Sequence, residues 1–112
     1  MSDCLFCKMV AGVIKSDVVF EDENILAFRD ISPQAPVHIL VIPKLHVATL
    51  NDMESQELAG QLMLAATSIA KRQGLADEGY RININCNKNG GQAVYHLHLH
   101  LLGGRQMAWP PG

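Results

Sequence analysis

The chain contains few charged residues and no cluster of charge of one sign. Nine lysines and arginines stand against eleven aspartates and glutamates, which gives the 112 residues a net charge of −2. Charged residues make up 18% of the chain, less than the roughly 25% of an average globular protein. Because no basic run could follow a phosphate backbone, we expect no binding to a nucleic-acid polymer.

Long apolar runs and a secretory leader are also missing. The first ten residues are MSDCLFCKMV, which lack the basic region and the apolar stretch of a signal peptide. No segment approaches the roughly 20 apolar residues of a membrane-spanning helix, so we expect no membrane partner. Three cysteines are an odd number, and disulfides are rare in cytoplasmic proteins. The sequence therefore favours a cytoplasmic domain whose cysteines serve chemistry or packing.

The composition that remains is globular, with 48% apolar residues. It fits one domain spanning residues 1–112 with a core of its own. Residues 4–11 are predicted to form a short helix, and SPQAP at 32–36 a turn, because its prolines fix φ and remove two donors. Five strands are predicted, the first two as a hairpin, at 18–21, 25–29, 38–42, 80–86 and 94–102.

One long helix is predicted between the third and fourth strands. Its apolar stripe has helical spacing and consists of Leu58, Leu62, Ala65, Ala66 and Ile69. Asn51 followed by Glu54 is typical of a capping box at the helix start. Lys71 and Arg72 complement the dipole in the last turn, and Gly74 ends the helix. Strands joined by short connections around one long and one short helix favour an α+β fold on an antiparallel sheet.

The most distinctive segment is HLHLHLL, residues 96–102. Residues two apart on a strand share a face, so His96, His98 and His100 are predicted to line one side at intervals of roughly 7 Å. The leucines on the other side are predicted to pack under the long helix; they are Leu97, Leu99 and Leu101. Three histidines in register are costly to bury together, which favours a functional role over a structural one.

Two chemical roles fit these histidines. They could ligate a catalytic zinc ion that keeps a fourth position open for water. Alternatively, one neutral imidazole could attack phosphorus while its neighbours donate hydrogen bonds to phosphate oxygens, since the reference pKa is about 6.5. His38, after the rigid turn, could supply a fourth imidazole as a proton relay. The local pattern does not separate the two roles.

The segment matches at every position the signature of the histidine triad (HIT) family, His-φ-His-φ-His-φ-φ with φ apolar. The chain is similar almost end to end to the nucleotide-binding (HINT) branch of that family, notably in FEDENILAFRDISPQAPVHILVIPKLH, GGQAVYHLHLHLLGGRQ and WPPG. The resemblance implies a HIT fold with its five-stranded sheet extended across a homodimer. It also implies hydrolysis of purine nucleoside phosphoramidates, such as adenosine monophosphate joined to an amine, with no cofactor required for catalysis.

The resemblance further implies roles for four histidines. His98 would attack the α-phosphorus and form a nucleotidyl-histidine that water then cleaves. His100 would donate to a phosphate oxygen. His38 would complete a relay through the main-chain carbonyl of His96, which holds His98 in the tautomer with a free Nε2.

A nucleotide pocket is implied as well. Asp30 and Ile31 match the positions that hold the ribose, although Asp30 alone reads as a turn residue. The base pocket is matched by residues that could also be ordinary core, namely Phe6, Met9, Phe28 and Leu40. The residues that match the phosphate side of the pocket are Asn85, Gly91, Gln92, Ala93, Val94, His98 and His100. Trp109 matches the C-terminal tail, which in relatives reaches the active site of the partner subunit. Ala93 departs from the serine common in the branch, which puts efficient protonation of a leaving amine in doubt.

Cys4 and Cys7 form a CxxC pair near the N-terminus. The βαβ setting of a thioredoxin-like redox site is missing. In family members with this pair, a structural zinc ion is completed by the histidine of the PKxH stretch and the first triad histidine, here His46 and His96. Such a closed tetrahedral site would attach the short helix to the sheet. The alternative is two reduced, partly buried cysteines, and Cys86 is expected to be a small hydrophobe.

Three functions therefore remain open at the level of sequence. The first is a homodimeric hydrolase of nucleoside phosphoramidates. The second is a nucleotide-binding or protein-interaction module with little turnover, which Ala93 favours. The third is a zinc-dependent hydrolase that uses the histidine triad as its metal site. The lack of an acidic residue near the triad in the sequence argues against this function, because a carboxylate often orients histidine ligands.

Overall fold

The computed structural model describes residues 3–112, so the first two residues of the expected domain lie outside the described part. Two α-helices and five strands follow one another along the chain. They are α1 (Leu5–Val10), β1 (Val18–Glu21), β2 (Ile25–Arg29), β3 (Val37–Pro43), α2 (Gln56–Arg72), β4 (Tyr80–Ile84) and β5 (Leu99–Gly103), with a 3₁₀ turn at Leu50–Asp52 before α2. The predicted short helix, hairpin and long helix are confirmed.

The strands form one antiparallel sheet in the order β1-β2-β3-β5-β4. The last strand is inserted between β3 and β4, so it has a neighbour on each side. His100 stands opposite Leu40 of β3 and opposite Asn83 of β4. The predicted α+β class with a five-stranded antiparallel sheet is confirmed.

Strand alternation divides the apolar side chains between the two faces of the sheet. Helix α2 covers one face, where Leu62 and Ile69 belong to the same buried cluster as Leu97, Leu99 and Leu101. The prediction that these leucines pack under the long helix is confirmed. A smaller cluster on the other face consists of Phe6, Leu26, Phe28, Leu40 and Ile42. Because α1 covers this second face only through Phe6 and its neighbours, the histidine side chains on it have an open space beside them.

The start of α2 differs from the prediction. Ser55 caps the helix by accepting a hydrogen bond from the amide of Leu58 at 3.0 Å. Asn51 lies instead in the preceding 3₁₀ turn, which is closed by a reciprocal capping box between Thr49 and Asp52. The expected box of Asn51 and Glu54 is therefore wrong, because a competing box of the same type closes a separate turn two residues earlier. At the other end, the predicted basic last turn is confirmed, with Lys71 and Arg72.

The last two strands are shorter than expected, since pairing between them begins only at Ile84 and Leu99. Cys86 therefore lies beyond β4, half-buried. His96 and His98 precede β5, so strand pairing does not fix their main chain. The residue between them is fixed instead by a hydrogen bond from the amide of Leu97 to the carbonyl of Val47 at 2.7 Å. None of the helices within residues 3–112 has both the length and the apolar character to cross a membrane.

Candidate active site

His98 is held by a main-chain hydrogen bond. Its Nδ1 lies 2.8 Å from the carbonyl oxygen of His96, and only 7% of the residue is exposed. A carbonyl oxygen can only accept, so the proton of the neutral ring is on Nδ1 and Nε2 carries a lone pair. The edge of the Phe6 ring meets His98 at a centroid distance of 5.2 Å. His98 is thus a fixed imidazole with an unprotonated Nε2.

His100 is held by a second imidazole. Its Nδ1 lies 2.9 Å from Nε2 of His38, while its own Nε2 is buried and has no hydrogen-bond partner within residues 3–112. Buried polar atoms are nearly always paired, so this nitrogen calls for an explanation such as a ligand atom. The carbonyl of His96 holds His98 as the resemblance implies, but His38 is bonded to His100 and not to that carbonyl. His38 stands opposite Leu102 in the sheet, and this register brings its ring diagonally against His100.

Burial makes all of these imidazoles weak bases. Desolvation lowers the pKa of His38, His96 and His98, although Asp30 or a main-chain acceptor opposes the effect. For His100, burial and the neighbouring rings of His98 and His38 lower the pKa to about 4. The rings are therefore neutral at pH 7, as a nucleophile and hydrogen-bond donors of this kind require.

Beside these two histidines lies a cavity of about 260 Å³. Many of the residues expected around a nucleotide line it: Phe6, Met9, Phe28, Asp30, Ile31, Leu40, Ala93, Val94, His98 and His100. Phe6 and Phe28 meet edge to face at 5.3 Å and form an aromatic wall. At the rim, Ile31 is 97% exposed. The fold thus brings the expected base, ribose and catalytic positions to one cavity.

Four expected contacts lie outside the cavity lining. Asn85 accepts a hydrogen bond from the side chain of Asn83 at 3.1 Å. Gln92 is buried and bonds the carbonyls of Ala48 and Val94, so its side chain supports the loop before the triad. Gly91 has a φ of 77°, which accounts for a glycine there without a ligand. Trp109 is 82% exposed in the C-terminal tail.

Other residues on the cavity wall were missed at the sequence level. The segment before β1 contributes Lys15, Ser16 and Asp17, and Leu5 and Arg29 complete the wall. No sequence motif identifies these residues. Residues 15–17 reach the cavity only because the folded chain passes around α1.

A second cluster lies under α1. Nδ1 of His96 is 3.3 Å from Sγ of Cys4 and 3.5 Å from Sγ of Cys7, and Nδ1 of His46 is 3.3 Å from Sγ of Cys7. The two Nδ1 atoms are 3.2 Å apart, and all four candidate ligand atoms lie within 4.8 Å of one another. Nε2 of His96 donates to the carbonyl of Pro43 at 2.8 Å, so its Nδ1 lone pair faces the cysteines. These four side chains could hold a metal ion.

The HIT domain family model matches residues 11–107. The chain belongs to the HIT family. A crystal structure of a HIT family hydrolase from Legionella pneumophila Philadelphia 1 superposes with a TM-score of 0.96 at 58% identity, covering 98% of this chain and 100% of that one. The chain is 47% identical over 107 residues to the purine nucleoside phosphoramidase of Escherichia coli K12, covering 94% of this chain and 90% of that protein. It is 50% identical over 114 residues to the 14 kDa zinc-binding protein of Brassica juncea, covering 98% and 100%.

In this HIT domain the three triad histidines do not converge on one point. Within residues 3–112, two groups of side chains bring candidate metal ligands together, and neither contains all three; they are Cys4, Cys7, His46 and His96, and Asp30, His38 and His100. The Nδ1 of His96 faces the cysteines, whereas the Nδ1 of His98 is bonded to a carbonyl. This geometry argues against the zinc-dependent hydrolase that uses the triad as its metal site.

Proposed function

We propose that this HIT protein binds purine nucleotides and hydrolyses nucleoside phosphoramidates through a nucleotidyl-histidine intermediate. The observation that carries the proposal is the pair of nitrogens beside the cavity. Nε2 of His98 has a lone pair because Nδ1 donates to a carbonyl, and Nε2 of His100 is buried with no partner among the described residues 3–112. The name of the E. coli relative, purine nucleoside phosphoramidase, supports the substrate class.

In the proposed first step, Nε2 of His98 attacks the α-phosphorus. A nitrogen–phosphorus bond forms, the bond to the amine breaks, and the amine leaves with the electron pair and takes up a proton from solvent water. The imidazole becomes positively charged, and its Nδ1–H bond to the His96 carbonyl stabilises that charge. His100 donates to a non-bridging oxygen as negative charge develops there. Water then attacks phosphorus and loses a proton to the solvent, while the nitrogen–phosphorus bond breaks with its electron pair returning to Nε2, which releases the mononucleotide.

The proposed nucleotide lies in the 260 Å³ cavity. The edge-to-face pair of Phe6 and Phe28 suits the flat face of a purine base. The Asp30 carboxylate accepts one hydrogen bond from the amide of Ser32 at 2.8 Å, and its other oxygen lies 3.5 Å from Nε2 of His38. A carboxylate offers about four acceptor positions, so at least two remain for the ribose hydroxyls.

We also propose that the four-residue cluster under α1 holds structural zinc. A tetrahedron with zinc–sulfur bonds of about 2.3 Å and zinc–nitrogen bonds of about 2.0–2.1 Å has edges of roughly 3.3–3.8 Å. The sulfur–nitrogen distances of 3.3–3.5 Å and the nitrogen–nitrogen distance of 3.2 Å are within about 0.3 Å of the corresponding edges. Four protein ligands close the site to water, so the ion would stabilise α1 and take no part in catalysis. The zinc-binding relative of Brassica juncea supports this assignment.

A homodimer through the β4 edge completes the proposal. The outer edge strands of the sheet are β1 and β4. The β1 edge has a register shift between Val18 and Phe20, which blunts an edge against pairing. The β4 strand pairs with β5 in unbroken register and keeps a regular outer edge of five half-buried residues. Two copies paired there would bring the tail with Trp109 toward the partner subunit.

A nucleotide-binding module of low turnover is the second candidate. Ala93 lies on the cavity wall and offers no hydroxyl to protonate a leaving amine. The two candidates differ in rate and not in affinity, so a binding measurement alone does not separate them.

Turnover of a fluorogenic adenosine phosphoramidate, with and without brief chelator treatment, tests the proposal. We expect turnover that resists the chelator in the wild type. His98→Ala should abolish it while adenosine monophosphate binding stays within about tenfold, since the nucleophile contributes mainly to the transition state. Tight binding without turnover in the wild type would favour the binding module, and chelator-sensitive turnover a metal mechanism. More than a few per cent of the wild-type rate in His98→Ala would refute the nucleophile assignment.

A further inference from the structure

The turn before β3 contacts the histidines through its main chain. The amide of Gln34 donates to Nδ1 of His38 at 3.0 Å. The carbonyl of the same residue accepts two hydrogen bonds from the guanidinium of Arg105, at 3.0 and 3.2 Å. The Gln34 side chain bonds the carbonyl of Ser32 at 3.1 Å. The main chain of Gln34, at the centre of the turn, is thus fixed through both its amide and its carbonyl.

This amide determines where the protons of two rings lie. A main-chain N–H can only donate, so Nδ1 of His38 is the acceptor and the proton of its neutral ring is on Nε2. Nε2 of His38 lies 2.9 Å from Nδ1 of His100 and 3.5 Å from Oδ2 of Asp30. The one proton on Nε2 points to the nearer of these two atoms, so Nδ1 of His100 is the acceptor. The proton of His100 is therefore on its own Nε2, the buried nitrogen that has no partner in the described part of the chain.

We infer that the main-chain amide of Gln34 is a positioning group that makes His100 a hydrogen-bond donor toward the substrate. The inference rests on the proposed function, because it specifies how one of the two cavity nitrogens acquires its role. His98 Nε2 presents a lone pair and His100 Nε2 presents a proton. With the opposite tautomer at His100, the lone pair on its Nε2 would face a phosphate oxygen and repel it. The amide of Gln34, distant in sequence from the triad, thus makes His100 a donor while His98 remains a nucleophile.

The wild-type tautomers provide a direct test that needs no variant. Nitrogen-15 NMR of protein labelled at histidine, recorded at pH 7.5 with the full chain, distinguishes protonated from unprotonated ring nitrogens. We expect the proton on Nε2 in His38 and His100 and on Nδ1 in His98. A proton on Nδ1 of His100 would overturn the inference. Turnover by His98 would still support the proposed function in that case, so the two failures are distinguishable.

A pair of substitutions at position 34 tests the cause. Gln34→Pro removes the amide proton, whereas Gln34→Ala removes the side chain and keeps the amide as the matched control. We expect mixed tautomers in His38 and His100 of the proline variant, with kcat at least tenfold lower and KM little changed, because removing an oxyanion donor costs about 10²–10³-fold in kcat. The alanine variant should keep the wild-type tautomers. Unchanged tautomers in a folded proline variant would refute the role of the amide.

A rescue experiment separates this role from a general disturbance of the turn. In His38→Gln the side-chain amide can donate to His100 whether or not the Gln34 amide is present. Adding Gln34→Pro to His38→Gln should therefore lower kcat by less than about twofold. An additional loss as large as in the wild-type background would show that the proline acts through the fold and would overturn the inference.

Discussion

The half-buried His100 should make the stability of the protein depend on pH in a way that one substitution removes. Its pKa is lowered to about 4 by burial and by the rings of His98 and His38, against about 6.5 in an unfolded chain. Between these values the unfolded state binds more protons than the folded state. The free energy of unfolding therefore rises with pH across this window and is lost as the pH falls from about 6.5 toward 4.

The expected size follows from the two pKa values. At pH 7 both states have a largely neutral His100, and its titration lowers the free energy of unfolding by about 0.2 kcal/mol. At pH 5 the unfolded histidine is protonated and the folded one is not, which costs about 2 kcal/mol. For a domain whose whole stability is typically about 5–15 kcal/mol, this loss is readily measured.

Urea unfolding of the wild type and His100→Gln, at pH 5 and pH 7, measures the effect. Glutamine keeps a polar side chain but does not titrate, so the wild type should lose about 2 kcal/mol more than the variant between the two pH values. The metal-ligand cluster is common to both proteins and cancels in the comparison. Circular dichroism is the better probe, because Trp109 is 82% exposed. Parallel losses, equal within about 0.5 kcal/mol, would refute the argument from burial.

Metal analysis is expected to find about one zinc ion per chain, and a Cys4→Ala, Cys7→Ala double variant should lose the ion and thermal stability while Cys86→Ala keeps both; a zinc-free wild type would contradict the proposal. Light scattering at micromolar concentration is expected to give a dimer, and removal of the tail after Gln106 to change substrate preference more than fold. A monomer would count against both statements. Ala93→Ser is expected to raise kcat/KM by about 10- to 100-fold for the most basic leaving amines; a wild-type rate independent of amine basicity, unchanged by the serine, would contradict it.

Local patterns predicted the parts of the fold that depend on periodicity. The alternation in HLHLHLL places leucines toward α2 and His100 on the opposite face, because side chains two apart on an extended chain share a face wherever the strand begins. The beginning itself could not be predicted. Pairing starts at Leu99 since that residue meets Ile84 of β4, and this contact depends on the register of two distant segments.

Similar limits apply to the caps and to the site. Two overlapping capping boxes compete before α2, and only the folded chain shows that Thr49 and Asp52 form the one observed. The hydrogen bond between His38 and His100 joins residues 62 positions apart, through the register of β3 and β5. No sequence pattern contains that register, which is why the contact between His38 and His100 could not be predicted.

The two parts of His96 serve different neighbours, and this has a consequence for how such a protein can change during evolution. Its imidazole belongs to the cysteine cluster, while only its carbonyl oxygen holds His98. Every amino acid supplies a carbonyl at that position, so the proposed reaction places no demand on the first side chain of the triad. A lineage that gave up Cys4 and Cys7 could replace this histidine without changing the chemistry at His98.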